Sequence, residues 1–148
     1  MKKYLIILIL ITLAITGCKK ESEVSLDIYE ASKALDIKYT NMNSMDEGEL
    51  AIIYELDLKD IENKIIKASS LNNGDFYAFI CTNKSEKQKI KEQMMNMFEI
   101  LEQQSNLYSP EAVKKIQNRL ETSIGECLIY IVSDNNDAYY KVVKEHVS

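Results

Sequence analysis

The chain has 148 residues, of which 46% are apolar and 28% are charged, as is ordinary for a globular protein. Its net charge is −5, and it becomes −7 without Lys2 and Lys3 of the N-terminal leader described below. A negative domain repels phosphate backbones, so nucleic acid is not an expected partner. The single histidine, His146, lies two residues from the C-terminus, which argues against Ser–His or Cys–His catalysis and histidine-based zinc sites.

The N-terminus has the pattern of a secretory signal. Lys2 and Lys3 form a short positive region, and residues 4–15 follow as an almost entirely apolar stretch. This stretch is too short to span a bilayer, which needs about 20 residues in a helix. The pattern therefore predicts a leader over residues 1–17 that is removed from the mature protein.

The end of this leader, Ile15-Thr16-Gly17-Cys18, resembles a bacterial lipobox. In such signals the cysteine thiol receives a diacylglycerol and the chain is cut before the cysteine, here between Gly17 and Cys18. Two acyl chains hold a protein stably at a membrane, whereas one chain binds marginally. We therefore expect a covalent diacylglycerol on Cys18 and anchoring to the extracytoplasmic face of the cell membrane. The alternative is an ordinary signal peptide or short anchor with a chance cysteine.

The mature chain is expected to consist of a short tether and one domain. Residues 18–25 would form the lipidated cysteine and the tether, and residues 26–148 a single domain. The seven residues 19–25 reach at most about 25 Å when extended, which keeps the domain close to the membrane. Lys19 and Lys20 either attract anionic headgroups or form a solvated start to the tether.

In the first half of the mature chain we predict two helices and a hairpin. Apolar residues at spacings of three and four predict a helix over 25–35, and Ser44 begins a Ser-x-x-Glu capping box before a short second helix. Residues 61–70 fit a helix or a strand, but the Asn-Gly turn at 72–75 favours a strand over 65–70. The β-rich run 76–82 is the second strand of that hairpin.

The second half predicts a long helix, a short helix, two strands and a final helix. Ser85 begins another capping box, and Ser109-Pro110 is typical of an N-cap and first helical residue. The elements are expected at 85–108, from 109 onward, at 116–122, at 127–132 and at 138–147. Two strand–strand–helix units thus follow a helical preface. The predicted fold is α+β, with a four-stranded antiparallel or mixed sheet and helices mainly on one face.

Three short motifs follow the leader at characteristic spacings. They are Tyr54-Glu55-Leu56-Asp57, Tyr108-Ser109-Pro110-Glu111 and the run from Gly125 to Asp134. Their order over most of residues 26–147 resembles the DUF4358 family of bacterial lipoproteins, whose function is uncharacterised. In this family a glycine usually stands at the position of Glu55, and an aromatic residue at that of Cys127. The resemblance implies an anchored extracytoplasmic domain and supplies no catalytic residues.

Cys81 and Cys127 fall on the two strands that the sequence predicts most clearly. Outside the cytoplasm a disulfide between them is permitted, but bridging depends on a distance that the sequence does not give. Buried thiols that act as small apolar side chains are favoured over a disulfide. A reactive thiol is less favoured still, because the sequence places no base nearby.

No metal or other cofactor is expected. Methionines at positions 42, 45, 94, 95 and 97 have spacings that a Cu(I) site uses, but ordinary core packing explains them better. The run Asp134-Asn135-Asn136-Asp137 lacks the later ligands and the glycine of a calcium loop, so helix capping is favoured.

No catalytic residue is predicted either. The acidic pairs Asp46/Glu47 and Asp57/Asp60 are read as solvated, and so is the mixed-charge run 84–92. Five tyrosines are expected to be half-buried, with a ligand-lining surface as the alternative: Tyr29, Tyr77, Tyr130, Tyr139 and Tyr140.

The expected function is therefore a non-enzymatic binding or interaction domain at the membrane surface. Its expected contacts are the membrane, through the lipid anchor, and an unknown envelope protein or small ligand. The alternatives are a cell-envelope enzyme, such as a carboxylate-based hydrolase, and a structural accessory subunit of a membrane complex.

Overall fold

The structure is a computed structural model that describes residues 24–148, so the leader, Cys18 and most of the tether lie outside the described residues. The described residues form five helices and five strands. In chain order these are α1 (Ile28–Lys38), β1 (Asn43–Ser44), α2 (Glu47–Ile53), β2 (Lys64–Ala68), β3 (Phe76–Cys81), α3 (Lys84–Ser105), α4 (Pro110–Gln117), β4 (Leu120–Ile124), β5 (Cys127–Val132) and α5 (Asn136–Lys144). Between residues 24 and 148, no helix has the length and apolar character needed to cross a membrane.

The five strands form one sheet in the order β1-β2-β3-β5-β4, and every neighbouring pair is antiparallel. The α+β class is confirmed, but the prediction of four strands was wrong. The additional strand is β1, in which Asn43 pairs with Ala68 and Ser44 with Lys67. Two exposed polar residues carry no alternation of apolar side chains, so only the pairing with β2 identifies them as a strand.

Helices cover both faces of the sheet, which corrects the expectation that they lie mainly on one face. Phe76, Ala78 and Ile80 of β3 pack in one core with α2, α3 and α4. Tyr77 and Phe79, on the other face of the same strand, pack in a second core with α1 and α5. Since β3 and β5 are apolar at nearly every position, each face of these strands needs its own helical layer.

Two helices begin at different caps from those predicted. Asp46, rather than Ser44, accepts hydrogen bonds from the backbone N–H groups of Gly48 and Glu49. Asn83, rather than Ser85, caps α3 by accepting from the N–H groups of Ser85 and Glu86. Asp and Asn are strong N-caps, and Ser44 is already paired in β1.

Other boundaries also shift, while the Ser109 cap is confirmed. The Ser109 hydroxyl accepts from the Ala112 N–H at 3.2 Å, and Pro110 opens α4. Helix α3 ends at Ser105, and α4 takes residues 116 and 117 from the predicted strand, so β4 begins at Leu120. The alternation of apolar and polar side chains within 116–122 involves only four positions, which are too few to distinguish the end of a helix from a strand.

The two ends of the domain are paired with each other. Ser25 and Ser148 exchange two backbone hydrogen bonds of 3.0 Å, and the Asp27 N–H donates to the His146 carbonyl at 3.1 Å. His146 lies in the turn after α5, where its backbone holds the N-terminal segment. The segment that follows the tether and the segment that follows α5 therefore lie at the same edge of the domain.

Candidate binding site at the disulfide

Cys81 and Cys127 are joined by a disulfide, with an S–S distance of 2.09 Å. Cys81 is the last residue of β3 and Cys127 the first of β5, and the register places them directly opposite each other. The sequence allowed either a disulfide or two buried thiols, and it favoured the thiols. Residues 46 positions apart are brought together only by the pairing of the two strands.

The N-terminal segment crosses the β4–β5 hairpin next to this disulfide. Gly125 in the hairpin has a φ of 53°, in the left-handed region that favours glycine. A Cβ at Gly125 would lie 2.0 Å from the carbonyl oxygen of Val24, so a larger residue is also excluded by space. This crossing explains the glycine that opens the third sequence motif.

A pocket of about 440 Å³, called here the N-terminal pocket, lies between this segment and the disulfide. Leu26, Ile28, Cys81 and Cys127 contribute apolar wall, and Asn63 and Glu126 contribute polar groups. Pockets that bind small molecules generally enclose about 300–1,000 Å³ and are mainly apolar with a few polar groups. The dimensions and the lining therefore suit a small, largely apolar ligand.

Two polar groups beside the N-terminal pocket, Asp27 and the Gly125 carbonyl, are engaged in structure. Asp27 Oδ1 caps α1 by accepting from the N–H groups of Tyr29 and Glu30, at 3.1 and 3.0 Å. On the hairpin, Lys87 Nζ donates to the Gly125 carbonyl at 2.7 Å. Within residues 24–148, no group of three His, Cys, Asp or Glu side chains is placed to hold a metal ion.

A second concavity of about 750 Å³ lies at the opposite end of the β2–β3 hairpin and is called here the amide cleft. Its wall comes from residues 40–45, residues 68–73 and the helices α2 and α3. The lining contains three asparagines, Asn41, Asn43 and Asn73, and one carboxylate, Glu49. This cleft is much more polar than the N-terminal pocket.

The acidic pairs of the sequence are not arranged as an acid–base pair. Glu47 and Asp57 line one shallow cleft, but Glu47 forms an ion pair with Lys64 Nζ at 2.8 Å. The Lys59 backbone N–H donates to Asp57 and, with the Lys59 ammonium, lowers the pKa of Asp57. A general acid requires the opposite shift.

The methionines and the Asp134–Asp137 run have structural contacts. Met94 and Met97 are fully buried in the core beneath α3, whereas Met95 is 53% exposed. Asp134 pairs with Lys115 at 3.2 Å. Asn135 caps α5 through the Ala138 N–H. Capping and core packing thus account for residues that had been weighed as metal ligands.

Two partly buried polar networks could not be predicted from the sequence. The Tyr77 hydroxyl donates to Asp36 Oδ1 at 2.8 Å and contacts Ser32 Oγ at 2.8 Å, and burial raises the pKa of Tyr77. Lys115 Nζ lies 3.0 Å from Asp75 and 3.2 Å from Asp134. The partners in each network are far apart in the chain, so spacing gave no signal.

The Lys115 network holds three segments together at one end of the sheet. Burial lowers the pKa of Lys115, but the hydrogen bonds and charges of Asp75 and Asp134 outweigh it and raise the pKa. Nearby, the Tyr39 hydroxyl donates to the Val132 carbonyl at 3.1 Å. These contacts join α4, the turn before β3 and the loop after β5.

The motifs that carried the family resemblance have local structural roles. Tyr54 and Leu56 are buried beside the end of α2, and Glu55 between them has a φ of 55°. Ser109 caps α4, and Gly125 makes room for the N-terminal segment. They shape turns and helix ends and do not converge on one site.

Comparison with known proteins agrees with this reading of the motifs. The model of one family, described as a domain of unknown function (DUF4358), matches residues 34–133, which is more than half of the chain. No curated protein matches the chain. No solved structure matches it either. Because this family model covers more than half of the chain, the chain belongs to the DUF4358 family.

Proposed function

We propose that this protein is a lipid-anchored lipoprotein of the extracytoplasmic membrane face, and that its domain binds a small ligand or an envelope partner without catalysing a reaction. The observation that carries the proposal is the disulfide between Cys81 and Cys127. Structural disulfides persist in oxidising compartments and are rare in the cytoplasm. The disulfide therefore supports the same location as the predicted leader and lipobox.

The binding role is supported by the N-terminal pocket. Its volume of about 440 Å³ and its largely apolar wall suit a small ligand. The first described residue, Val24, lies six positions after Cys18, so a lipid on Cys18 would hold this pocket near the membrane. A carboxylate-based hydrolase is less well supported, since Glu47 and Asp57 are each paired with a lysine.

The anchor is tested by changing Cys18 to Ala in the producing cell. We expect the variant to accumulate as uncut precursor and to take up no labelled fatty acid, because only the Cys18 thiol accepts the diacylglycerol. A matched control, in which both Cys81 and Cys127 are changed to Ala, should be cut and labelled normally. Normal processing and labelling of the Cys18→Ala chain would contradict the proposal.

The compartment is tested by counting thiols in acid-quenched cells with a maleimide that adds a large polymer. We expect no adduct on the mature protein before reduction, because Cys18 carries lipid and the other two cysteines are bonded. After reduction we expect two adducts. Two adducts without reduction would place the domain in a reducing compartment and would rule out the proposed location.

A further inference from the structure

We propose that the amide cleft binds a neutral saccharide. This site is separate from the N-terminal pocket, and the inference goes beyond the proposed function. The cleft encloses about 750 Å³, toward the upper end of the range for small-molecule sites. Such a volume admits more than one sugar ring.

The side chains in the cleft match the chemistry of hydroxyl groups. The lining includes Asn41 and Asn43 from the segment around β1 and Ser70 from the segment after β2. The Asn73 amide, also in the lining, is already engaged, since its Nδ2 donates to Asp75 Oδ2 at 2.6 Å and its Oδ1 accepts from Lys115 Nζ at 3.4 Å. Amides and hydroxyls each offer a donor and an acceptor, which is what neighbouring sugar hydroxyls need. Within residues 24–148, Glu49 is the only charged residue that lines the cleft. A phosphate or carboxylate ligand is therefore disfavoured.

Part of this hydrogen-bonding capacity is unused. Among the described residues, the Thr40, Ser44 and Ser70 side chains have no hydrogen-bond partner. By contrast, the neighbouring Ser69 hydroxyl accepts from the Asp75 N–H at 2.9 Å and contacts the Asp75 carbonyl. These hydroxyls belong to exposed residues on both segments that line the cleft, so they are accessible to solvent and to a ligand.

The floor of the cleft is apolar and held in place. Tyr54 is 5% exposed and Leu101 is 7% exposed, and Met45 and Leu71 pack against the same core. The Tyr54 hydroxyl donates to Gln104 Oε1 at 3.2 Å, which fixes the ring. A sugar ring presents C–H groups on its faces and hydroxyls at its rim. This floor and these walls are complementary to that arrangement.

The cleft lies at the far end of the sheet from the N-terminal segment. The lining of the cleft includes Ala68 at the end of β2, whereas Cys81 and the N-terminal pocket lie at the other end of the β2–β3 hairpin. The six residues of β3 separate the two ends by about 17 Å. If Cys18 carries the anchor, as proposed above, the cleft lies at the end of the sheet opposite the segment that follows the anchor. Binding itself does not depend on that anchor.

The test is a calorimetric titration of the full chain in detergent micelles with neutral tetrasaccharides. The probes are a tetramer of N-acetylglucosamine and maltotetraose, each to 20 mM, with tetra-alanine as a peptide probe. We expect saturable binding of at least one saccharide. The variant with Thr40→Ala and Ser70→Ala should bind it at least five-fold more weakly. Neither side chain has a structural hydrogen bond, so the variant should retain its fold by circular dichroism.

The matched control changes Thr122 and Ser123 of β4, outside the cleft, to Ala and should leave the dissociation constant unchanged. A second cleft variant, Asn43→Ala, should weaken binding in the same direction. The proposal is overturned if neither saccharide binds saturably, if the cleft variants bind as tightly as the original chain, or if only the peptide binds. Because the titration does not require lipid on Cys18, these outcomes are independent of the anchor test.

Discussion

At the scale of single residues, backbone conformation explains positions that the sequence shows only as letters. Gly125 and Glu55 both have a positive φ, at 53° and 55°. Glycine adopts this conformation freely, whereas other residues pay a steric cost because of their Cβ. Glycine at position 125 therefore suits its backbone conformation, whereas glutamate at position 55 does not.

Changing Gly125 to Ala should destabilise the domain by about 2 kcal/mol or more, from the left-handed backbone and the Val24 clash together. The free energy of unfolding in urea measures the loss. Gly48→Ala is the control, because Gly48 lies in α2, where the helix propensity of alanine opposes a tight contact of 3.0 Å between the new Cβ and Asp46 Oδ1, so stability should change by about 1 kcal/mol at most. Equal effects of the two substitutions would contradict this account of Gly125.

Changing Glu55 to Gly should stabilise the domain by about 0.5–1 kcal/mol. The relief of the left-handed conformation exceeds the entropy that a glycine adds to the unfolded chain. Glu55→Ala keeps the strained backbone and also loses the contact with Asn96 Nδ2, so it should give no gain. A glycine variant no more stable than the alanine variant would disprove the explanation.

At the scale of elements, the two central strands provide both the core and the disulfide. Strands β3 and β5 are buried along nearly their whole length and place Cys81 opposite Cys127. The sequence predicted both strands correctly. Their pairing, which decides that the thiols meet, was outside the reach of local patterns.

Reduction of the disulfide should lower the free energy of unfolding by about 2–4 kcal/mol, since the bond closes a long loop in the unfolded chain. Urea unfolding with and without dithiothreitol measures the difference. The control is the chain with Cys81→Ala and Cys127→Ala, whose stability should not respond to the reductant. An original chain that is equally stable under both conditions would show that the bond contributes nothing.

At the scale of the whole molecule, helical layers on both faces bury tyrosines that would otherwise be half-exposed. Burial raises the pKa of Tyr39, Tyr77 and Tyr130 above the ordinary value near 10. Because the pKa of these tyrosines is higher in the folded state than in the unfolded state, their contribution to stability is fully present below pH 10. That contribution is lost as the pH rises from 10 toward the folded-state pKa, because only the unfolded chain ionises readily.

The domain should therefore unfold in alkali. Above pH 10, each tyrosine that stays neutral only in the folded state lowers the free energy of unfolding by about 1.4 kcal/mol per pH unit. Urea unfolding at pH 9 to 12, with tyrosinate absorbance near 295 nm, measures this slope. Tyr77→Phe should make the slope shallower, whereas Tyr108→Phe should not, since Tyr108 is 62% exposed. Identical slopes for both variants would contradict the prediction.

The sequence by itself determined the α+β class, the hairpin around Asn72-Gly74, the Ser109 cap and the family. Each of these depends on residues close together in the chain or on motifs in a fixed order. The leader and the lipidation of Cys18 also come from local sequence and stay predictions.

Only the tertiary structure decided the strand β1, the helical layers on both faces, the disulfide and the two concavities. Ser44 is a strand residue because Lys67 lies beside it, and Cys81 is bonded because β5 places Cys127 opposite. The amide cleft likewise joins residues 40–45 with residues 68–73. Such contacts form between distant parts of the chain, where the local periodicity of side chains carries no information about which segments meet.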